Sequence, residues 1–489
     1  MSGPDDDGAA RSDDRALRTD GGAASGRRVG ERVSYWIREG DAGLIALVML
    51  GIYGLFTVFA ILSPAQGLGG VVSSLQAVTF WTALYAMLVL ALNLHWGYTG
   101  LFNIGVAGFM AVGVYTFAAL TAPTTGNPPG LALPLWVGVV GGMLVAALAG
   151  ALVALPALRL RADYLAIVTV AFSEIVRLSL LSTTFQEFTL FANVGVLPDL
   201  HLGTGSGQGI NMPINPTIPV KSLYYTNPTN PAAGSVTPFG EFVFGAFDAV
   251  AVRQTVVVSM TYTLLLLVFV ALFYWLLRRI GNSPFGRVLK AIREDELVAN
   301  SLGKDTRRFK IKVFMVGCAL MGLGGILWEA QKGFTDPTST TFRPIQTFYI
   351  FIALIIGGAG SNTGSVVGGA LFASLLFQGP LFVSRIFSKF VELGDAPNTF
   401  AGAVGPVFSL HFAPLAGYTL KNVSALRFVL VGVVLVALMH RRPTGLLGHR
   451  KEVAASIDLF DTDRRDRAQT GEPAADGGPG VPGRGDRDD

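Results

Sequence analysis

Apolar runs close to 20 residues recur along this 489-residue chain. A helix of that length just crosses the roughly 30 Å hydrocarbon layer of a bilayer. The chain is 51% hydrophobic and only 14% charged, whereas soluble domains carry about 25% charged residues. The expected fold class is an all-α integral membrane protein of about ten transmembrane helices, some broken or re-entrant.

Hydropathy predicts spans at 43–62, 76–95, 103–121, 133–155, 164–182, 256–277, 311–329, 346–358, 365–384 and 424–441. The glycine-rich 103–121 and the short 346–358 are the two expected to be broken or partly re-entrant. The chain then divides into a disordered cytoplasmic tail (1–42), five transmembrane helices (43–182) and an extracellular loop (183–255). A sixth helix (256–277), a charged cytoplasmic segment (278–310) and helices seven to nine (311–384) follow. A second extracellular loop (385–423), the last helix (424–441) and a second disordered cytoplasmic tail (442–489) complete it. The opening "MSGPDDDGAARSDDRALRTDGG" is acidic and polar, unlike the basic start and apolar core of a secretory signal.

Charge sets the orientation. Residues 278–312 hold ten Lys or Arg against four Asp or Glu, while 183–255 holds only Lys221 and Arg253 as basic residues. The positive-inside rule places the first segment in the cytoplasm and the second outside. Ten crossings from a cytoplasmic N-terminus give the same sides, so a multi-pass cell-membrane protein with both termini cytoplasmic is expected. The net charge of +4 is accounted for by membrane-flanking cations facing lipid, and no nucleic-acid partner is expected.

The segment "GRVLKAIREDELVANSLGKDTRRFK" (286–310) is dense in charge between two apolar stretches. Ser283-Pro284 suits a helix start, and Phe285, Val288, Leu289 and Ile292 follow at i, i+3, i+4, i+7 on one face. Gly303 suits a helix end. An amphipathic loop lying on lipid is one reading. The other is a docking helix whose apolar stripe enters a partner's groove while Glu294, Asp295 and Glu296 pair with its basic rim. Three adjacent acids would be repelled by anionic headgroups, which favours the protein partner.

Inside the spans, ionisable residues are few. Glu174 and Arg177 lie three apart on one helix face, within the same stretch as Thr169. Asn93 and Asn103 flank "LHWGYTG". These five are the candidates for a translocation path, since intramembrane polar groups are costly and often functional. Gly360, Gly364 and Gly368 form a small-xxx-small helix-packing pattern. A GxGxGxG string near 203–209 lacks the strand-to-helix context of a nucleotide fingerprint. GxxxxGK[ST], HExxH and GxSxG are absent from the sequence, and Cys318 is its one cysteine, so no catalytic residue, metal ligand or bound cofactor is expected.

Several segments in order resemble one family, the LivM-type permease subunits of branched-chain amino-acid ABC importers. They are "LNLHWGYTGLFNIGVAGFMAVGVYT" (92–116), "LPALRLRADYLAIVTVAFSEIVRL" (155–178), "TGSGQGINMP" (204–213), "SPFGRVLKAIREDELVANSLG" (283–303), "GFTDPTSTTF" (333–342), "IIGGAGSNTGSVVGGALF" (355–372) and "RRPTGLLG" (441–448). The resemblance implies that 278–310 is a coupling segment, with Arg293, Glu294, Asp295, Glu296, Ala299 and Gly303 at the ATPase-docking helix. It implies ATP on partner subunits and none on this chain. The implied partners are a second, LivH-type permease, two ATP-binding cassette subunits, an extracellular substrate-binding protein and membrane lipid. Val106 and Asn103 stand where the family pattern has His and Ser, and urea and short-chain amide permeases share nearly the same motifs. Those cargoes remain alternatives, as does an ion-coupled secondary transporter.

Overall fold

The computed structural model describes residues 41–63, 67–157, 162–190, 200–387 and 397–448. The expected tails therefore fall largely outside the described residues. Helices α1 (Asp41–Leu62), α2 (Leu68–Thr99), α3 (Val106–Thr121), α4 (Leu135–Ala157) and α5 (Ala162–Leu181) form the first half. Helices α6 (Ile218–Tyr224) and α7 (Pro238–Asp248) lead to α8 (Gln254–Gly281), and the charged segment folds as α9 (Pro284–Glu294) and α10 (Glu296–Ser301). Next come α11 (Thr306–Glu329), α12 (Pro344–Gly357), α13 (Asn362–Leu371) and α14 (Gly379–Phe387), and finally α15 (Phe400–Val404), α16 (Ala413–Lys421) and α17 (Val423–Arg441).

The all-α membrane fold is confirmed. Among the described residues, seven helices are long and apolar enough to cross a bilayer: α1, α2, α4, α5, α8, α11 and the stretch from α13 through α14. Shorter apolar helices are α3, α12 and the stretch Phe400–Ser409; α3 and α12 lie in the two regions expected to be broken, while the expected span 424–441 (α17) is not among the seven. The α13–α14 stretch is continuous through a π-helical turn at Phe372–Gln378. Pro380 follows that turn, and its ring leaves no room for a regular i−4 hydrogen bond.

Helix α2 carries the core. From Thr82 to Leu94 every one of its side chains is buried, with α8, α11, α12 and α13 packed around it. A helix apolar on all sides buries itself this way. Helices α3, α4 and α11 form a second tight set, because their glycines bring backbones together. A Cβ at Gly113 would lie 2.5 Å from Gly322 Cα, and one at Gly142 would lie 2.6 Å from the Gly113 carbonyl oxygen. On α13, Gly364 and Gly368 abut Gly357 and Ala353 of α12.

The described parts of residues 183–255 are more structured than their turn-rich composition suggests. Thr237 caps α7 by accepting from the Gly240 amide, with Pro238 at the first helical position. Strand β1 (Phe188–Leu190) pairs antiparallel with β2 (Leu200–Leu202), and β3 (Ile210–Asn211) with β4 (Phe334–Thr335). The GxGxGxG string runs into β3, a two-residue strand that ties "TGSGQGINMP" to "GFTDP".

Candidate functional site

Two helix breaks meet at the end of α2 that α9 approaches. The first lies between α2 and α3. Gly100 takes the left-handed conformation (φ 69°) and donates to Trp96 O, while the Leu101 amide donates to His95 O. Only glycine enters that region without a Cβ penalty. The start of α3 then needs acceptors for its unpaired amides. Asn103 Oδ1 accepts from Gly105 N at 2.8 Å, Thr169 Oγ1 from Ile104 N at 3.0 Å, and Thr347 Oγ1 from Ala107 N at 3.0 Å.

Because Asn103 Oδ1 is an acceptor, its Nδ2 faces His95 Nδ1, at 3.1 Å. His95 Nδ1 therefore accepts, and Nε2 carries the hydrogen that it donates to Phe314 O at 3.1 Å. The imidazole also stacks on the Phe314 ring, with centroids 4.6 Å apart. That ring locks the α2 end to α11.

The second break lies between α12 and α13. Gly358 and Gly360 both have positive φ, at 103° and 93°. Asn93 Oδ1 accepts from Gly360 N at 2.8 Å, and Asn93 Nδ2 donates to Asn362 Oδ1 at 3.1 Å. Tyr98 donates to the same Asn362 oxygen at 3.0 Å. The last carbonyls of α12 are met by "RRPTGLLG": Leu446 N donates to Ile356 O and Leu447 N to Gly357 O. A Cβ at Gly97 would lie 2.6 Å from Gly360 N, so the two breaks touch backbone to backbone.

The surface segment joins this site from outside. Asp295 is extended (φ −155°, ψ 110°); it ends α9 and caps α10, its Oδ1 accepting from Leu297 N and Val298 N at 2.8 and 3.1 Å. Arg293, on the last turn of α9, donates to Gly97 O. On α9, partial burial lowers the Lys290 ammonium pKa from its ordinary value.

The expected docking residues divide into different roles. Arg293 gives one N–H to Gly97 O while remaining exposed. Glu296 is bound within the chain, to Lys310 at 2.6 Å and Thr306 at 3.1 Å. Ala299 is 2% exposed and offers no surface. Gly303, at φ 76°, follows the end of α10, and Glu294 is exposed. The apolar stripe also differs from expectation. Leu289 and Ile292 are buried in this chain, and Phe285 stacks on Phe309 at 5.2 Å. A tethered apolar surface outcompetes a separate partner for the same side chains. What faces outward instead is Leu297, Val298 and Leu302, at 77%, 55% and 73% exposure.

The path candidates also separate. Asn93, Asn103 and Thr169 are fully buried hydrogen-bonding partners of the two breaks. Glu174 and Arg177 form a bidentate pair on α5, at 2.5 and 2.9 Å, with partly exposed side chains. Gly360 is corrected: it precedes α13 and serves the break, while Gly364 and Gly368 lie in the helix contact.

Sequence reading missed His95, whose partner Phe314 is 219 residues away. It missed Glu329, a buried carboxylate at the far end of α11 paired with Lys332 at 2.8 Å. That residue closes the predicted span 311–329, and an acid at a span end was a readable signal.

Comparison with known proteins bears on this region. Residues 74–394 match the family described as branched-chain amino acid transport system, permease component. The high-affinity branched-chain amino acid transport system permease protein LivM of Salmonella typhimurium is 34% identical over 290 residues, 59% of this chain and 60% of that protein. LivM of Escherichia coli K12 is 34% identical over 291 residues, with the same shares covered. The probable LivM of Methanocaldococcus jannaschii is 24% identical over 322 residues, 60% of this chain and 78% of that protein. The match thus spans 60% of the length of the two bacterial relatives. No solved structure matches. The family match takes in both helix breaks and the charged elbow, and this multi-pass membrane chain belongs to the branched-chain amino acid transport system permease family.

Proposed function

We propose that this chain is the LivM-type permease subunit of an ABC importer that moves branched-chain amino acids inward. Separate ATPase subunits drive it, and this chain makes no covalent bond. A LivH-type permease completes the translocation path, and an extracellular binding protein delivers the cargo. The observation that carries the reading is the elbow. One side of α9–α10 is buried in the chain and tied by Arg293 to Gly97, while Leu297, Val298 and Leu302 stand exposed on the other. Exposed aliphatic side chains on a water-facing elbow fit a partner's groove, each adding about 1.5–3 kcal/mol when covered. A push on α10 would pass through Arg293 to both breaks, whose side-chain hydrogen bonds can be exchanged without unfolding a span.

The test is uptake of labelled leucine and labelled urea in cells with and without the chain, before and after ATP depletion. Loss of ATP-dependent leucine uptake supports the reading. Loss of urea uptake alone keeps the machine and changes the cargo. Uptake that survives ATP depletion and follows an ion gradient overturns it. Leu297→Asp is expected to abolish ATPase co-purification at an unchanged membrane level; normal co-purification would remove the elbow from the docking role.

A further inference from the structure

A cavity of about 640 Å³ runs between α1, α2, α8 and α13. Its walls are mostly apolar, including Ile45, Met49, Ala83, Leu267 and Val270. Two of its polar side chains, Tyr53 and Thr79, bond to each other at 2.7 Å. The space is a groove open along one side, and its mostly apolar walls offer water few partners, so it suits an apolar occupant. Along α1 it reaches from Asp41 to Tyr53, about 18 Å of helix rise. That is close to half the hydrocarbon thickness, the reach of one leaflet's acyl chain.

At its Asp41 end a second recess, of about 580 Å³, is lined by Trp275, Arg278, Arg279, Asn282 and Ser283, and Arg278 lines both. Its chemistry is the reverse: two guanidinium groups with amide and hydroxyl neighbours, the donors that bind phosphate oxygens. Arg279 lies over the Trp275 ring at 5.9 Å, and Trp275 is 55% exposed. An exposed tryptophan at the end of a spanning helix marks headgroup level. Among the described residues lining the two recesses, Asp41 is the one acid, accepting from Tyr274 at 3.0 Å, against the two arginines. Outside the groove, Leu47 and Leu50 of α1 and Val268 and Leu272 of α8 are exposed, as lipid-facing residues are.

We infer that the joined cavities are a binding site for one anionic phospholipid, its phosphate held by Arg278 and Arg279 and an acyl chain lying in the α1–α8 groove. A zwitterionic amino acid is far smaller than the space and would leave its charges against apolar walls. The site does not depend on which cargo the protein carries.

The test uses the full chain in nanodiscs of equal phosphatidylglycerol, phosphatidylethanolamine and phosphatidylcholine, released into native mass spectrometry. Retained phosphatidylglycerol is expected to exceed the other two at least fivefold. Arg278→Gln with Arg279→Gln should remove that preference, and so should Ala271→Phe, which fills the groove and leaves the arginines in place. Both variants are compared after elution at the wild-type volume in size exclusion. Equal retention of the three lipids, no effect of either variant, or displacement of the lipid by millimolar inorganic phosphate alone would overturn the assignment.

Discussion

Asn103 uses both ends of its amide at one break: the oxygen serves Gly105 N and the nitrogen serves His95. Removing it strands a backbone amide and a ring nitrogen where no water reaches, and a buried unsatisfied polar group costs about 1–3 kcal/mol. Asn103→Ala should therefore lower the melting temperature of the detergent-solubilised protein well below that of Ile175→Ala, a truncation at a 63% exposed position. Surface changes of that kind stay within about 0.5 kcal/mol. Equal melting of the two would discard the account of Asn103 as the residue that seals the break. That Asn93, Asn103 and Thr169 matter was legible from polar residues inside apolar runs. Their task was not, because every acceptor they supply serves a backbone amide that exists only once the helices have broken.

At the scale of elements, the charged segment is two helices held at fixed points: α9 to α2 through Arg293, and α10 to α11 through Glu296 and Lys310. The Glu296–Lys310 pair is partly exposed, so its contribution to stability is about 0–1 kcal/mol; its value is in orientation. Glu296→Lys places two like charges at the junction and should abolish transport while the subunit stays in the membrane. Combining it with Lys310→Glu restores the attraction and should recover part of the uptake. An exchange as inactive as the single change would mean that a partner reads the Glu296 carboxylate itself. The helical period at 285–292 was readable, but not its direction, because periodicity defines a face without saying what covers it. Here the covering surface is the chain's own α2, α8 and α11, and the outward apolar residues are the ones after the elbow.

For the whole molecule, the proposed orientation puts the elbow and residues 183–255 on opposite sides of the membrane. The sole cysteine, Cys318, is buried, so introduced thiols can be read against it. Lys304→Cys and Thr229→Cys, both at exposed positions, should react with a membrane-impermeant maleimide from opposite sides: Thr229→Cys in intact cells, Lys304→Cys only after the membrane is opened. Labelling of both in intact cells would reverse the proposed sidedness. The sequence by itself determined the class, marked the segments where seven crossing-length helices lie and pointed to the break-prone regions at 103–121 and 346–358, because chain length against bilayer thickness and the conformational freedom of glycine act locally. It also carried the ordered motifs of the family. Only the tertiary structure decided that the breaks touch at Gly97 and Gly360, that Arg293 reaches inward, and that Leu297, Val298 and Leu302 face outward. The first two depend on contacts between residues 196 or more positions apart, and the third on how α10 docks on α11 through Glu296, Thr306 and Lys310; no local pattern of polarity encodes which backbone will arrive to meet it.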